Sequence, residues 1–367
     1  MKTNKQNDHL TRREFLKLSA TSLGALLIVP PQRTKLMPDF PSGERLGRVV
    51  AGALSLHARP TPDSAKIRTA YEDEILVIER TVLGSQPFRQ NQTWQETPEG
   101  YVWSPDIQPV LNLPNDPLVD LPQTSLGAGV WAEVTVPYVD LAIANPPARA
   151  PWLRNRLESG LSPRFFYSQI VWVDQIEVDA EGQVWYGLNE RFGYGDLFWA
   201  PAEAFRLLTP EEVTPISPEV ENKYIRVDVS RQTISAFEGN NEVYFARAST
   251  GVMFNAAGER VDEWGTPVGQ HRIWRKSISL PLAGGSAAAG WDLPAVGWIS
   301  LFVGSGVAFH STYWHNNYGV PTSRGCVNLS PDDAKWVFRW TQPQVAFDPG
   351  DVTVGMPGGT MVEVFET

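Results

Sequence analysis

This 367-residue chain has one cysteine, Cys326, and only five histidines. A single thiol cannot close an intrachain disulfide, so a disulfide-stapled scaffold is excluded. Basic runs are also missing. The formal net charge is −10, and the first thirty residues hold five Lys/Arg against two Asp/Glu, which leaves −13 on the rest. A body of that sign does not neutralise phosphate, which argues against nucleic acid and against electrostatic attachment to anionic wall polymers. The one marked apolar stretch, Leu18 to Val29, is too short for a comfortable bilayer span.

What is present points to a folded, strand-rich protein. Hydrophobic content of 42% with 14 Trp is globular rather than disordered, and thirty prolines favour short strands and turns over long helices. The length predicts two or three domains. Residues 1–30 read as an export signal: Thr11-Arg12-Arg13-Glu14-Phe15-Leu16-Lys17 matches the twin-arginine pattern and an apolar stretch follows. The expected location is extracytoplasmic, at the cell wall or membrane. Residues 31–45 read as a polar linker.

From Leu46 onward short apolar runs alternate with turn signals such as Arg59-Pro60-Thr61-Pro62-Asp63-Ser64. This spacing suits a small β-barrel over 46–112. Trp94…Tyr101-Val102-Trp103-Ser104-Pro105 has a counterpart in Trp185…Leu197-Phe198-Trp199-Ala200-Pro201, which predicts a second unit over 126–210 with an insertion around 142–163. In residues 218–367, Tyr224–Val229, Thr233–Phe237 and Val243–Ala248 predict an antiparallel meander. Ala283–Gly290 is too rich in Gly and Ala to pack a core and is read as a lid hinge. One helix is expected from Ser330, with Pro331 at its first position and Asp333 completing a capping box.

Cys326 lies in Ser323-Arg324-Gly325-Cys326-Val327-Asn328, and His310 stands sixteen residues upstream in Phe309-His310-Ser311-Thr312. A cysteine is a good nucleophile as thiolate, and an imidazole is the usual means of forming it. Glycine before the cysteine leaves backbone N–H groups open to an oxyanion. Ser249-Thr250-Gly251, Gly265-Thr266-Pro267-Val268-Gly269 and Val296–Phe302 precede this pair in order. Together these segments resemble the catalytic domain of L,D-transpeptidases, the YkuD-like family, over roughly 218–367. Arg324 stands where many members have His, and Ser311 where many have Gly. The run from Leu54 to Ile67 similarly resembles the opening of bacterial SH3-like domains.

The resemblance implies a mainly β architecture: two SH3-like barrels, then a YkuD-like catalytic domain. It implies acyl transfer on peptidoglycan stem peptides. Cys326 attacks the carbonyl before a terminal D-Ala, and His310 moves the proton. Ser311 orients the imidazole through its carbonyl, and the Gly325 and Cys326 N–H groups face the oxyanion. Ser323, Arg324 and Asn328 are the implied substrate-contacting positions. Trp314 is the foremost groove candidate and Trp298 a second, although tryptophans are more often core. No cofactor or metal is called for; His310 and His315 have no Cys, Asp or Glu nearby at ligand spacing. Carbapenems are the implied inhibitors. Hydrolysis of the same stem needs the same Cys and His, so it stays open beside transfer. A non-catalytic wall-binding protein has no need of the set. A papain-like protease expects the opposite order of Cys and His.

Overall fold

The structure is a computed structural model that describes residues 37–87, 89–254, 259, 261, 264–284 and 291–367. The expected export signal and residues 285–290 of the expected hinge lie outside the described residues.

Residues 46–110 make two antiparallel sheets. Leu46–Val49 lies between Ile75–Val77 and Ile107–Val110, and five further strands, Lys66–Tyr71 to Arg80–Leu83 at its edges, make the other sheet. Period-two alternation in Ala53–His57 turns Leu54 and Leu56 inward, where they meet Val49, Ala70, Val102 and Ile107.

A six-stranded sheet built around Ile170–Val178 follows. The two Trp-x-Pro stretches end alike. Gly100–Trp103 passes through a 3-10 turn, Ser104–Asp106, into Ile107–Val110, which pairs with Leu46–Val49. Leu197–Pro201 passes through Ala202–Ala204 into Phe205–Leu207, which pairs with Val130–Val134. The insertion holds a helix, Pro151–Glu158, that the sequence reading did not foresee. Its apolar pattern is weak, but Asp196 accepts the N–H groups of Arg149 and Ala150 at its entry. Trp152 then packs on Phe165 and Phe198.

The C-terminal part is two five-stranded sheets. The expected meander is there as Lys223–Asp228, Thr233–Glu238 and Asn241–Arg247. In the other sheet Ala308–Ser311 pairs in parallel with Val327–Leu329. A parallel pair needs a crossover of about a dozen residues or more, which accounts for the gap between His310 and Cys326. The register sets His310 opposite Asn328, and Cys326 ends the bend just before the Val327–Leu329 strand. The helix Pro331–Trp340 starts as expected, with Ser330 Oγ accepting the Asp333 N–H at 3.2 Å. Its Ala334, Val337 and Phe338 join the main core. Beyond its last turn the buried Lys276 ammonium donates to the carbonyls of Phe338, Thr341 and Pro343. Burial pulls its pKa down, while those three acceptors favour the charged form and close the helix end.

Candidate active site

Cys326 and His310 open on one pocket of about 210 Å³, with Trp314, Ser323, Arg324, Asn328, Thr322, Leu282 and Leu293 around them. Three segments far apart in sequence build its floor. Ser249 and Asn328 exchange backbone hydrogen bonds at 3.0 and 2.9 Å, and the Thr250 carbonyl accepts from Thr322 and Ser323. Thr266 Oγ1 accepts from Gly251 N and donates to the Gly325 carbonyl at 2.8 Å. Gly251 is irreplaceable there: a Cβ would lie 2.0 Å from the Trp264 carbonyl oxygen. Gly325 has φ +118, a conformation closed to L side chains, so the residue before the thiol must be glycine.

His310 is 1% exposed, and its Nδ1 lies 2.9 Å from the Ser311 carbonyl. A carbonyl only accepts, so Nδ1 carries the proton and Nε2 keeps its lone pair as a base. The Ser311 carbonyl is the partner of Nδ1, and its hydroxyl accepts the Gly297 N–H at 3.1 Å. Burial lowers the His310 pKa to about 4, against the Ser311 hydrogen bond, which raises it. Burial likewise pushes the Cys326 thiol up to about 11. The residue is only half-buried and its sulfur faces the pocket, so solvent there offsets part of that push. Both shifts favour a neutral thiol beside a neutral imidazole. Among the described residues no hydrogen bond joins the two side chains; Sγ lies 3.9 Å from the Gly306 carbonyl.

Two expected roles are corrected. The Gly325 N–H does not point into open space but donates to Ser323 Oγ at 3.1 Å, because that hydroxyl is held at the loop's neck by the Cys326 carbonyl. Trp298 is 1% exposed in the core, against Phe338 at 5.3 Å, and does not reach the pocket. Its backbone has φ +59, a conformation unusual for tryptophan. Trp314 does line the pocket, 5.6 Å from the His310 ring. Arg324 sits at the rim with its guanidinium over Trp264 at 5.6 Å, a stacking partner with no sequence signal.

His315, weighed in the sequence only as a metal ligand, supports the floor. Asn317 N–H donates to its Nδ1 at 3.1 Å, so the ring proton sits on Nε2. Nε2 faces Thr322 Oγ1 at 3.1 Å and the Asn328 amide at 2.8 Å. The amide atom at that distance is Nδ2, and Oδ1 has no partner; with the proton on Nε2, Thr322 Oγ1 is an acceptor for it, and rotating the Asn328 amide to present Oδ1 would supply a second. The spacing from His310 is not periodic in any regular element, so only the crossover's path reveals this contact.

The residues 46–110 segment reaches this crossover. Arg48, 3% exposed, donates to the Tyr313 carbonyl and to Asp73, both at 2.7 Å. Asn316 N–H donates to the Pro105 carbonyl at 3.0 Å. The loop carrying Trp314 and His315 is thereby held from outside its own sheet.

Residues 222–364 match the family model described as the L,D-transpeptidase catalytic domain, YkuD. Similar solved structures include an Enterococcus faecium L,D-transpeptidase mutant, 23% identical over 40% of this chain and 51% of that one, TM-score 0.30. Another is an L,D-transpeptidase from Mycobacterium tuberculosis, 17% identical over 69% of this chain and 98% of that one, TM-score 0.29. A third, an L,D-transpeptidase in complex with imipenem, is 20% identical over 68% of this chain and all of that one, TM-score 0.30. The chain spans about half the length of the Enterococcus faecium protein it matches. No curated protein matches it.

Proposed function

We propose, from the match of residues 222–364 to the L,D-transpeptidase catalytic-domain model, that the chain is a cysteine-dependent acyltransferase acting on tetrapeptide stems of peptidoglycan. The observation that carries this reading is a single thiol sharing a pocket with an imidazole whose tautomer is set by the Ser311 carbonyl. Nε2 of His310 takes the thiol proton as sulfur attacks the carbonyl between stem residue three and D-Ala. The C–N bond then breaks, the imidazolium returns its proton to the leaving amine of D-Ala, and a thioester remains on Cys326. A side-chain amine of a second stem attacks that thioester and restores the thiol. Because the resting pair is neutral, proton transfer accompanies attack instead of preceding it. With Gly325 N–H engaged by Ser323, the Cys326 N–H is the backbone donor left for the oxyanion. The Arg324 guanidinium at the rim suits a substrate carboxylate.

The upstream segments read as SH3-like units that meet the wall, and residues 1–30 as a twin-arginine signal that takes the chain outside the cytoplasm. Carbapenems are the inhibitor class expected to form an adduct on Cys326. Purified protein incubated with tetrapeptide muropeptides should release D-Ala and yield a cross-linked product by mass spectrometry. Cys326→Ala should release none while its melting temperature is kept. D-Ala release by Cys326→Ala would end this reading, and free tripeptide without cross-links would make the enzyme a hydrolase.

A further inference from the structure

A second cavity, of about 380 Å³, lies between residues 45–111, the six-stranded sheet segment and the C-terminal sheets. That volume falls within the range of small-ligand pockets, about 300–1,000 Å³. It is separate from the thiol pocket, but His315 forms part of its wall, and the partners of that ring, Thr322 and Asn328, line the thiol pocket.

Three observations bear on what it takes. Ser168 lines it, is 2% exposed, and holds a hydroxyl that has no hydrogen-bond partner among the described residues. Its backbone sits at φ +70, a conformation unusual for serine, and its N–H is tied to the Val134 carbonyl. A buried hydroxyl without a partner calls for a polar group from a ligand or solvent. The charges are mixed and come from different segments. Arg45 and Asp332 are exposed and make no ion pair among the described residues, whereas the Glu133 carboxylate is already paired with Arg206 at 2.5 Å. Leu46 and Ile107 give an apolar side.

We propose that this cavity is a second binding site for a short peptide end bearing both a free ammonium and a free carboxylate. The carboxylate meets Arg45, the ammonium meets Asp332, and a backbone amide meets Ser168. A neutral glycan leaves Arg45 and Asp332 without partners, and a polyanion is repelled by Asp332. That such ends come from wall stems rests on the transpeptidase reading; the binding itself does not.

The test is calorimetric titration of full-length Cys326→Ala protein with L-lysyl-D-alanine, its diacetylated form, its carboxyl-terminal amide, and chitotetraose. Measuring binding in a protein without the thiol separates this idea from the chemistry, since failure of transpeptidation leaves the titration interpretable. The expected result is one saturable site, weakened about tenfold or more by acetylation or amidation. Adding Arg45→Gln or Asp332→Asn, both at exposed positions, should weaken it similarly. Ser168→Asn, a residue that tolerates the left-handed backbone and fills space, should abolish it. Arg324→Gln, at the thiol pocket's rim, should leave it unchanged. Absence of binding, binding indifferent to the cavity variants, or preference for chitotetraose would each overturn the proposal.

Discussion

The two upstream segments meet the C-terminal sheets by different physics. The six-stranded segment shares its core with them: Trp131, Ile170, Trp172 and Leu208 lie in one buried cluster with Ile225, Trp298 and Phe338. Gly350 of the C-terminal part lies under the Trp131 ring, where a Cβ would come within 2.5 Å of its nitrogen. Residues 46–110 keep a small core of their own and meet the crossover through polar groups, above all Arg48. Shared apolar burial supplies stability without direction. A buried ion network adds little net stability but has a narrow geometry, which suits it to hold a loop in place. One neighbour is therefore part of the fold, and the other positions a piece of the site.

That contrast can be broken at several points. The largest effect is expected from Trp172→Ala, which empties a shared core position and should cost about 3–5 kcal/mol. Urea unfolding should show one lowered transition that takes the thiol pocket with it; loss of upstream signal alone would mean the core is not shared.

Arg48→Met comes next. Asp73 keeps Arg164 at 2.7 Å, so the upstream sheets should stay folded while the Tyr313–Asn317 loop loosens. Turnover should fall about tenfold, with a smaller change in melting temperature than Trp172→Ala produces. Equal losses of turnover and stability would make Arg48 an ordinary structural residue.

A smaller effect concerns pH. Glu190, from the six-stranded segment, accepts the Ala295 N–H at 2.7 Å, and burial pushes its carboxyl up to about 8. It is half-buried by exposed area, so solvent softens the effect. A raised pKa means that the folded state holds the proton more tightly. Its contribution is full below the ordinary carboxylate range and is lost as pH rises toward 8. His310 and His315, both lowered to about 4, act oppositely, and stability falls as pH drops from 6.5 toward 4. Between pH 6.5 and 8 the wild-type melting temperature should therefore decline. Glu190→Gln should flatten that decline, and an unaltered slope would assign it to other groups.

The smallest expected signal is the rate of Cys326 alkylation by iodoacetamide. With the thiol raised toward 11, the rate should be slow at neutrality and still climbing past pH 9. A plateau near pH 7 would restore the ion pair that the sequence suggested.

Much of the site was legible because it is local. Gly325 before Cys326 and the Ser330 cap each depend on neighbours within a few residues, and backbone rules act at that range. The Trp-x-Pro repeat was legible for the same reason, as a strand, a 3-10 turn and a strand in succession. The failures involve distance. Trp298 was a groove candidate by its residue type, yet its inward turn depends on a helix forty residues away. Glu190 and Arg48 touch the catalytic sheets across 105 and 265 positions, with no pattern to announce it.

By itself the sequence determined which chemical groups are on offer: one thiol, one histidine a crossover's length before it, and a glycine directly before the thiol. Tertiary structure decided the state of that chemistry. Burial pushes the thiol pKa up and the imidazole pKa down, the Ser323 hydroxyl takes the Gly325 N–H, and a separate β-segment holds the loop between His310 and Cys326. Those outcomes depend on desolvation and on contacts between segments remote in sequence. Both exist only once the chain has packed.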